Sequence, residues 1–220
     1  MSDPPLAVKV WGDFACFTRP EMKVERVSYP VMTPSAARGV LEAIFWKPEF
    51  TWRVREIQVL KPIAYFSILR NEINSRASER AAKGWEKTGD GGFFASDDRA
   101  QRHTLALRDV AYIIRADMVL RPHATEPAAK YRDQFRRRVA RGQCFAQPYF
   151  GCREFTASFG EVDDPDAPTE PQPLKMGLGR MLLDLDFRNG ASGDATPQFF
   201  NADLVNGVLR VPREGASHAP

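Results

Sequence analysis

The sequence predicts an α+β fold, and three observations carry that expectation. Over residues 110–120 an apolar residue recurs at every second position, placing Val110, Tyr112, Ile114, Ala116, Met118 and Leu120 on one face of a strand. Two other segments, running from Pro34 to Lys47 and from Pro127 to Gly142, carry their apolar residues at helical spacing instead. Strand and helix segments also interleave along the chain. With 220 residues, of which 43% are hydrophobic and 15 are Phe, it is long enough to bury a core in one large domain or two small ones.

Taken in order, Leu6–Trp11 reads as a short strand that ends at Gly12-Asp13. In Thr33-Pro34-Ser35, Thr33 supplies an N-cap and Pro34 fits the first helical position. Ala36, Ala37, Val40, Leu41 and Ile44 share one face of the helix that follows. Lys47-Pro48 stops it, because the residue before proline is pushed out of helical geometry. Trp52–Ile63 is a strand ending at Lys61-Pro62.

Between 64 and 103 the periodicity dissolves around Gly89-Asp90-Gly91-Gly92, and Arg70, Arg76, Arg80, Lys83, Lys87, Arg99 and Arg102 accumulate. The expectation is a long insertion, a hairpin that orders on a partner. The 110–120 strand and the basic helix come next, then a strand region over 149–162 broken at Gly151. The order strand, helix, strand, insertion, strand, helix, strand is the split β-α-β-β-α-β arrangement of a ferredoxin-like domain. This places residues 1–162 in one domain. DDPDAPTEPQP (163–173) is a linker, and 174–212 form a small C-terminal antiparallel sheet closed by an Asn206-Gly207 hairpin turn. The tail 213–220 is expected to be disordered.

The densest charge lies in KYRDQFRRRVAR (130–141), with six Lys or Arg against one acid, Asp133. Tyr131, Phe135 and Val139 form the anchoring stripe at i, i+4 and i+8, so the basic side chains must fill the rest of the helix surface. A solvated basic face and a polyanion track are both open. The density of like charge favours the track, since guanidinium forks match phosphate geometry and never lose their charge. Net charge is only +3, so the basicity is a local feature. Arg136, Arg137, Arg138 and Arg141 are candidate phosphate contacts. Arg70 and Arg76 of the insertion join them, as does Arg19 beside the possible stacking residues Trp11, Phe14 and Phe17.

Metal and cofactor chemistry find little support. His103, His123 and His218 lack ligand spacing, and Cys144 and Cys152 fit no zinc pattern. Asp184 and Asp186 share a strand face and suit a wet sheet surface better than a cation site. No phosphate-cradling glycine motif and no nucleophile elbow occur. Three cysteines, an odd number, suit a reducing compartment, and no apolar run reaches the roughly 20 residues needed to span a bilayer, so a cytoplasmic protein without membrane contact is expected. What remains is metal-free chemistry on RNA, whose 2′-OH can attack its own neighbouring phosphate. Lys130, at the start of the basic helix, is placed either to stabilise the developing charge or simply to hold a phosphate. For Tyr131, a place in the core stripe competes with a catalytic hydroxyl.

The blocks VWGDFACFTRPEMKVERVSYPVMTPSAARGVLEAIFWKP, RNEINSR, FRRRVARGQCFAQPYFGCREFTASF and GLGRMLLDLDF closely resemble the type I-C CRISPR-associated Cas-five proteins of the RAMP superfamily, over about residues 7–212. The resemblance implies an RRM-type ferredoxin-like domain with an inserted hairpin and a small C-terminal sheet. It also implies metal-independent cleavage of the repeat hairpin in precursor CRISPR RNA, leaving a 5′-hydroxyl and a 2′,3′-cyclic phosphate. The protein would then stay on the 5′ handle beside the other subunits of the type I-C interference complex. Such proteins carry Tyr or His in the motif ending WKP and a Lys-His pair at the start of the basic helix. Here those positions are Phe45, Lys130 and Tyr131. Phe45 can make no proton transfer, which leaves open a subunit that only binds the guide handle, and the same basic surface leaves open one that binds duplex DNA.

Overall fold

The computed structural model describes residues 4–75, 78–162, 170–186 and 195–212. Its scaffold is one nine-stranded sheet, antiparallel apart from one short edge pairing, with two helices packed together against one face. Strand β1 (Leu6–Ala15) leads through β2 (Arg26–Val27) to helix α1 (Pro34–Ile44). Thr33 caps α1 as expected, its hydroxyl accepting from the Ala36 amide at 3.3 Å. Strand β3 (Phe50–Val59) and the hairpin strand β4 (Tyr65–Ile73) follow, then α2 (Glu79–Thr88) and the 22-residue β5 (Arg99–Leu120). Helix α3 (Ala128–Ala140) and β6 (Ser158–Gly160) complete the central unit, whose strands run in the order β6-β1-β5-β3.

Both helices bury their apolar stripes with Val8, Val10, Tyr112 and Ile114 from one face of the sheet, so they share a side and a core. The α3 stripe falls where the spacing puts it, with Tyr131, Phe135 and Val139 all buried. Beneath it Trp52 meets Phe135 at 4.8 Å between ring centroids, and Phe50 meets Phe45 at 5.3 Å and Tyr131 at 5.6 Å. Such ring pairs contribute about 0.5–1.5 kcal/mol each beyond simple area burial. This aromatic cluster fixes the rotation of α3 about its axis, and so decides which basic residues face outward.

Three expectations change. The 64–103 segment is a hairpin in its own right: β4 pairs along Arg99–Leu107 of β5, and α2 sits at its tip. Asp109, at φ 53°, lies within β5 where this arm gives way to the buried 110–120 stretch, a conformation that short polar side chains tolerate. Residues 149–162 are mostly loop. Only 158–160 pair with β1, and a lone bridge joins Tyr149 to Thr156. Gly151, at φ 81°, presses this loop onto the Cys16 carbonyl so closely that a Cβ would lie 2.0 Å from that oxygen. The C-terminal strands β7 (Met176–Asp186), β8 (Thr196–Val205) and β9 (Val208–Arg210) form no sheet of their own. Strand β9 pairs with β3 through Ile57↔Leu209 and extends the central sheet. Their closing turn is as expected, with Asn206 and Gly207 at φ 50° and 71° between the paired Val205 and Val208. Most of the expected linker (163–169) and the tail 213–220 lie outside the described residues.

Candidate nucleic-acid interface

Because α3 is anchored by one stripe, its outer face is set by elimination. Lys130, Asp133, Arg136 and Arg137 line an open depression of about 590 Å³. Gln134, Arg137, Arg138, Arg141 and Gln143 line a second of about 220 Å³. Two of these cations are locally paired: Lys130 Nζ lies 2.6 Å from Glu126 Oε1 and Arg136 Nη1 lies 2.9 Å from Asp133 Oδ1. Both pairs are exposed and of the short-range helical kind, worth about 0.3–0.5 kcal/mol, so a phosphate displaces them at little cost. Arg137 and Arg141 have no ion-pair partner among the described residues. The surface is therefore a shallow, open basic track along the outer face of α3.

The other candidates divide. Arg138 turns inward: its Nη1 donates to the Ile44 carbonyl at 2.9 Å and its guanidinium lies 5.1 Å from the Phe45 ring centroid. It satisfies a carbonyl at the end of α1 and ties the two helices together. Arg70 sits on the hairpin arm, paired with Glu154 and lying 3.9 Å from Glu72, which also meets Arg26 at 3.3 Å. Arg19 stacks over the Tyr29 ring at 4.6 Å, with Glu21 at 3.7 Å. Neither stands on α3, and Arg76 lies outside the described residues. Of the proposed stacking aromatics, Phe17 is core, whereas Trp11 and Phe14 are partly exposed. Asp184, weighed as a cation ligand, accepts instead from Arg38 at 2.6 Å.

At the start of α3 the core reading of Tyr131 is what the structure displays. Its ring is 1% exposed, and its buried hydroxyl has no hydrogen-bond partner. The Lys47 ammonium lies 5.6 Å above that ring. Phe45 is equally buried, and its carbonyl accepts from Trp52 Nε1 at 2.9 Å. Two groups that the sequence left unassigned join this corner. One is Lys47 itself; the other is His123, whose Nε2 lies 3.0 Å from the Pro48 carbonyl oxygen. Proximity of the 47–48 turn to both Tyr131 and His123 is a tertiary fact, which local spacing does not carry.

A thiol pair underlies the hairpin arm. Cys16 and Cys152 are both buried, and Arg26 Nη1 donates to Cys152 Sγ at 3.4 Å. The hydrogen bond from Cys16 holds the Cys152 thiol low, at about 6, against burial and the Glu154 charge, and Arg26 adds to the effect. The same bond and burial push Cys16 up. All three cysteines are free.

The family model of the CRISPR-associated Cas5 proteins, Cas5d branch, matches residues 5–212. The chain belongs to that family. It is 49% identical to the CRISPR pre-crRNA endoribonuclease Cas5d of Thermus thermophilus, over 95% of this chain and 92% of the relative. It is 47% identical to the protein of the same name from Mannheimia succiniciproducens, over 94% of each. Two solved structures share its fold with a TM-score of 0.67. One is a Streptococcus mutans protein of uncharacterized function (18% identical, covering 99% of this chain and 96% of that one). The other is a CRISPR-associated protein (21% identical, covering 98% and 94%). Among the described residues, no helix is long and apolar enough to cross a membrane.

Proposed function

We propose that this Cas5 protein is a metal-independent endoribonuclease that cuts the repeat hairpins of precursor CRISPR RNA and then holds the 5′ handle of the product. The observation that carries the reading is the basic outer face of α3, opening on Lys130, in a chain that matches two pre-crRNA endoribonucleases along nearly its whole length. The order β6-β1-β5-β3, with both helices on one face, supports a ferredoxin-like core, since a split β-α-β-β-α-β chain fills a sheet in that order.

RNA supplies its own nucleophile, so the protein has to align the 2′-OH, stabilise the phosphorane charge and protonate the departing 5′ oxygen. Arg136, Arg137 and Arg141 would grip phosphates on either side of the cut. Lys130, freed from Glu126 by the incoming phosphate, would neutralise the extra charge and deliver the proton. Tyr131 is the weaker participant. Its hydroxyl has a proton to give and no internal acceptor, yet it sits beneath the surface. A free thiol pair suits a cytoplasmic setting. The exposed apolar residues Ile68, Leu69 and Ile73 on the hairpin arm suit contact with other subunits of a type I-C complex. Duplex DNA would meet the same basic face, and competition against the RNA hairpin separates the two.

The test is cleavage of the cognate repeat RNA in EDTA by wild type and by Lys130→Ala. Wild type should cut, and the variant should be slowed by about two to four powers of ten with binding retained. Tight binding without cutting by wild type would leave a handle-binding subunit only.

A further inference from the structure

Resting on that reading of the chain as an RNA-cleaving enzyme, we infer that His123 is a catalytic residue, the general base that takes the proton from the attacking 2′-OH. The reaction needs two proton transfers, and the corner of the fold around Lys130 is short of groups that make them. Phe45 has no ionisable group, and Tyr131 is sealed in the aromatic cluster. Lys130 and Lys47 are cations, which have no free lone pair to accept a proton. Imidazole is the side chain that accepts and releases protons near neutral pH. Among the described residues the other imidazole, His103, lies on the hairpin arm, where its backbone amide donates to Glu25.

His123 is exposed, on the segment that runs into α3 three residues before Glu126, the ion-pair partner of Lys130. Its Nε2 lies 3.0 Å from the Pro48 carbonyl oxygen. A carbonyl can only accept, so Nε2 carries the hydrogen and Nδ1 of the neutral ring keeps its lone pair. Nδ1 has no partner among the described residues. The bond to Pro48 thus fixes tautomer and ring orientation together. The next residue back, Lys47, holds its ammonium over the Tyr131 ring, so one turn reaches both His123 and the start of α3. The charged groups on the segments that meet at this bond are Lys47 and Glu49 on either side of Pro48, and Arg121 and Glu126 on the segment of His123, with Lys130 paired to Glu126. One oxygen of Glu49 is buried with no hydrogen-bond partner.

The step balances. The 2′ oxygen forms a bond to phosphorus as its proton passes to His123 Nδ1. The P–O5′ bond then breaks, and the 5′ oxygen takes a proton from Lys130. The imidazolium and the neutral amine exchange that proton through water, which restores the starting state.

The experiment is single-turnover cleavage of the repeat RNA in EDTA across a pH series, with binding measured separately. It compares wild type, His123→Ala and His123→Gln, the last able to keep a donor toward Pro48. Both variants should cut about 10²- to 10⁴-fold more slowly with RNA affinity unchanged. The acidic limb of the pH–rate profile should disappear, and added imidazole should partly restore His123→Ala. Cleavage by either variant at the wild-type rate and profile would overturn the assignment. So would a parallel loss of binding and rate with the acidic limb intact, which marks a mere contact. Absence of cutting by wild type would instead refute the endoribonuclease reading itself.

Discussion

Replacing Tyr131 with Phe removes a single oxygen from the aromatic cluster under α3 and asks two questions at once. The hydroxyl is buried and unpartnered, and leaving such a group unsatisfied costs about 1–3 kcal/mol. The Phe ring keeps the contact with Phe50 and the place beneath the Lys47 ammonium. The vacated space is one atom in size, so little packing is lost. The net expectation is a more stable protein, by about 1 kcal/mol, and for a chain of this length each kcal/mol raises Tm by about 2–4 °C. Calorimetry without RNA measures this directly. A Tm that falls by a similar amount would show that the hydroxyl has an acceptor, and the argument from its orphaned state would fail. Cleavage measured on the same variant answers the second question. Slower cutting in a more stable protein would mean that the hydroxyl is kept at a cost to the fold because it serves the reaction. Unchanged cutting would remove Tyr131 from the chemistry.

Other outcomes follow from the same structure. Replacing Arg136 and Arg137 together with Ala should reduce the slope of log K against log salt for single-stranded repeat RNA by about 1.4, close to 0.7 per lost phosphate contact; an unchanged slope would put the track elsewhere. Arg138→Ala should lower stability by about 1–3 kcal/mol through the unsatisfied Ile44 carbonyl while barely moving that slope, and the opposite pattern would return Arg138 to the RNA. Gly151→Ala should cost more than about 2 kcal/mol, since both the positive φ and the Cys16 carbonyl oppose a Cβ; a Tm within error of wild type would refute the close approach. Thiolate absorbance, with Cys152→Ser as the control, should titrate near 6. Because folding lowers this pKa, its contribution to stability is present above the ordinary thiol value of 9.0 and is lost as pH falls through about 6, so acid should weaken wild type more than Cys152→Ser.

Local signals in the sequence were legible wherever a single segment decides its own shape. Thr33-Pro34, the Tyr131-Phe135-Val139 stripe and Asn206-Gly207 all behave as their residues dictate, whereas the 110–120 strand, read as buried on one face, is buried on both over 110–114. The hairpin arm was opaque because β4 is largely exposed along its length, so it never shows the one-face alternation that marks a strand. The 149–162 loop misled in the opposite way. Phe150, Cys152, Phe155 and Ala157 are buried by wrapping onto the end of β1 rather than by strand pairing. The C-terminal strands look self-contained until β9 finds β3, a long-range pairing that local patterns do not encode. At the site, the density of charge on α3 was readable, while the direction of each side chain was not. Arg138 is turned by Ile44 and Phe45, Arg70 is claimed by Glu154, and His123 is oriented by Pro48. Each partner lies far away along the chain.

The central claim is that RNA itself provides the nucleophile and the protein provides only alignment, charge and proton transfer. A repeat RNA carrying one 2′-deoxy sugar at the cut site tests this directly, assayed in EDTA beside the all-ribose hairpin. The modified RNA should bind as tightly as the unmodified one and remain whole, while the all-ribose RNA yields 5′-hydroxyl and 2′,3′-cyclic phosphate ends. Cleavage of the deoxy-substituted strand at the same bond would contradict the account.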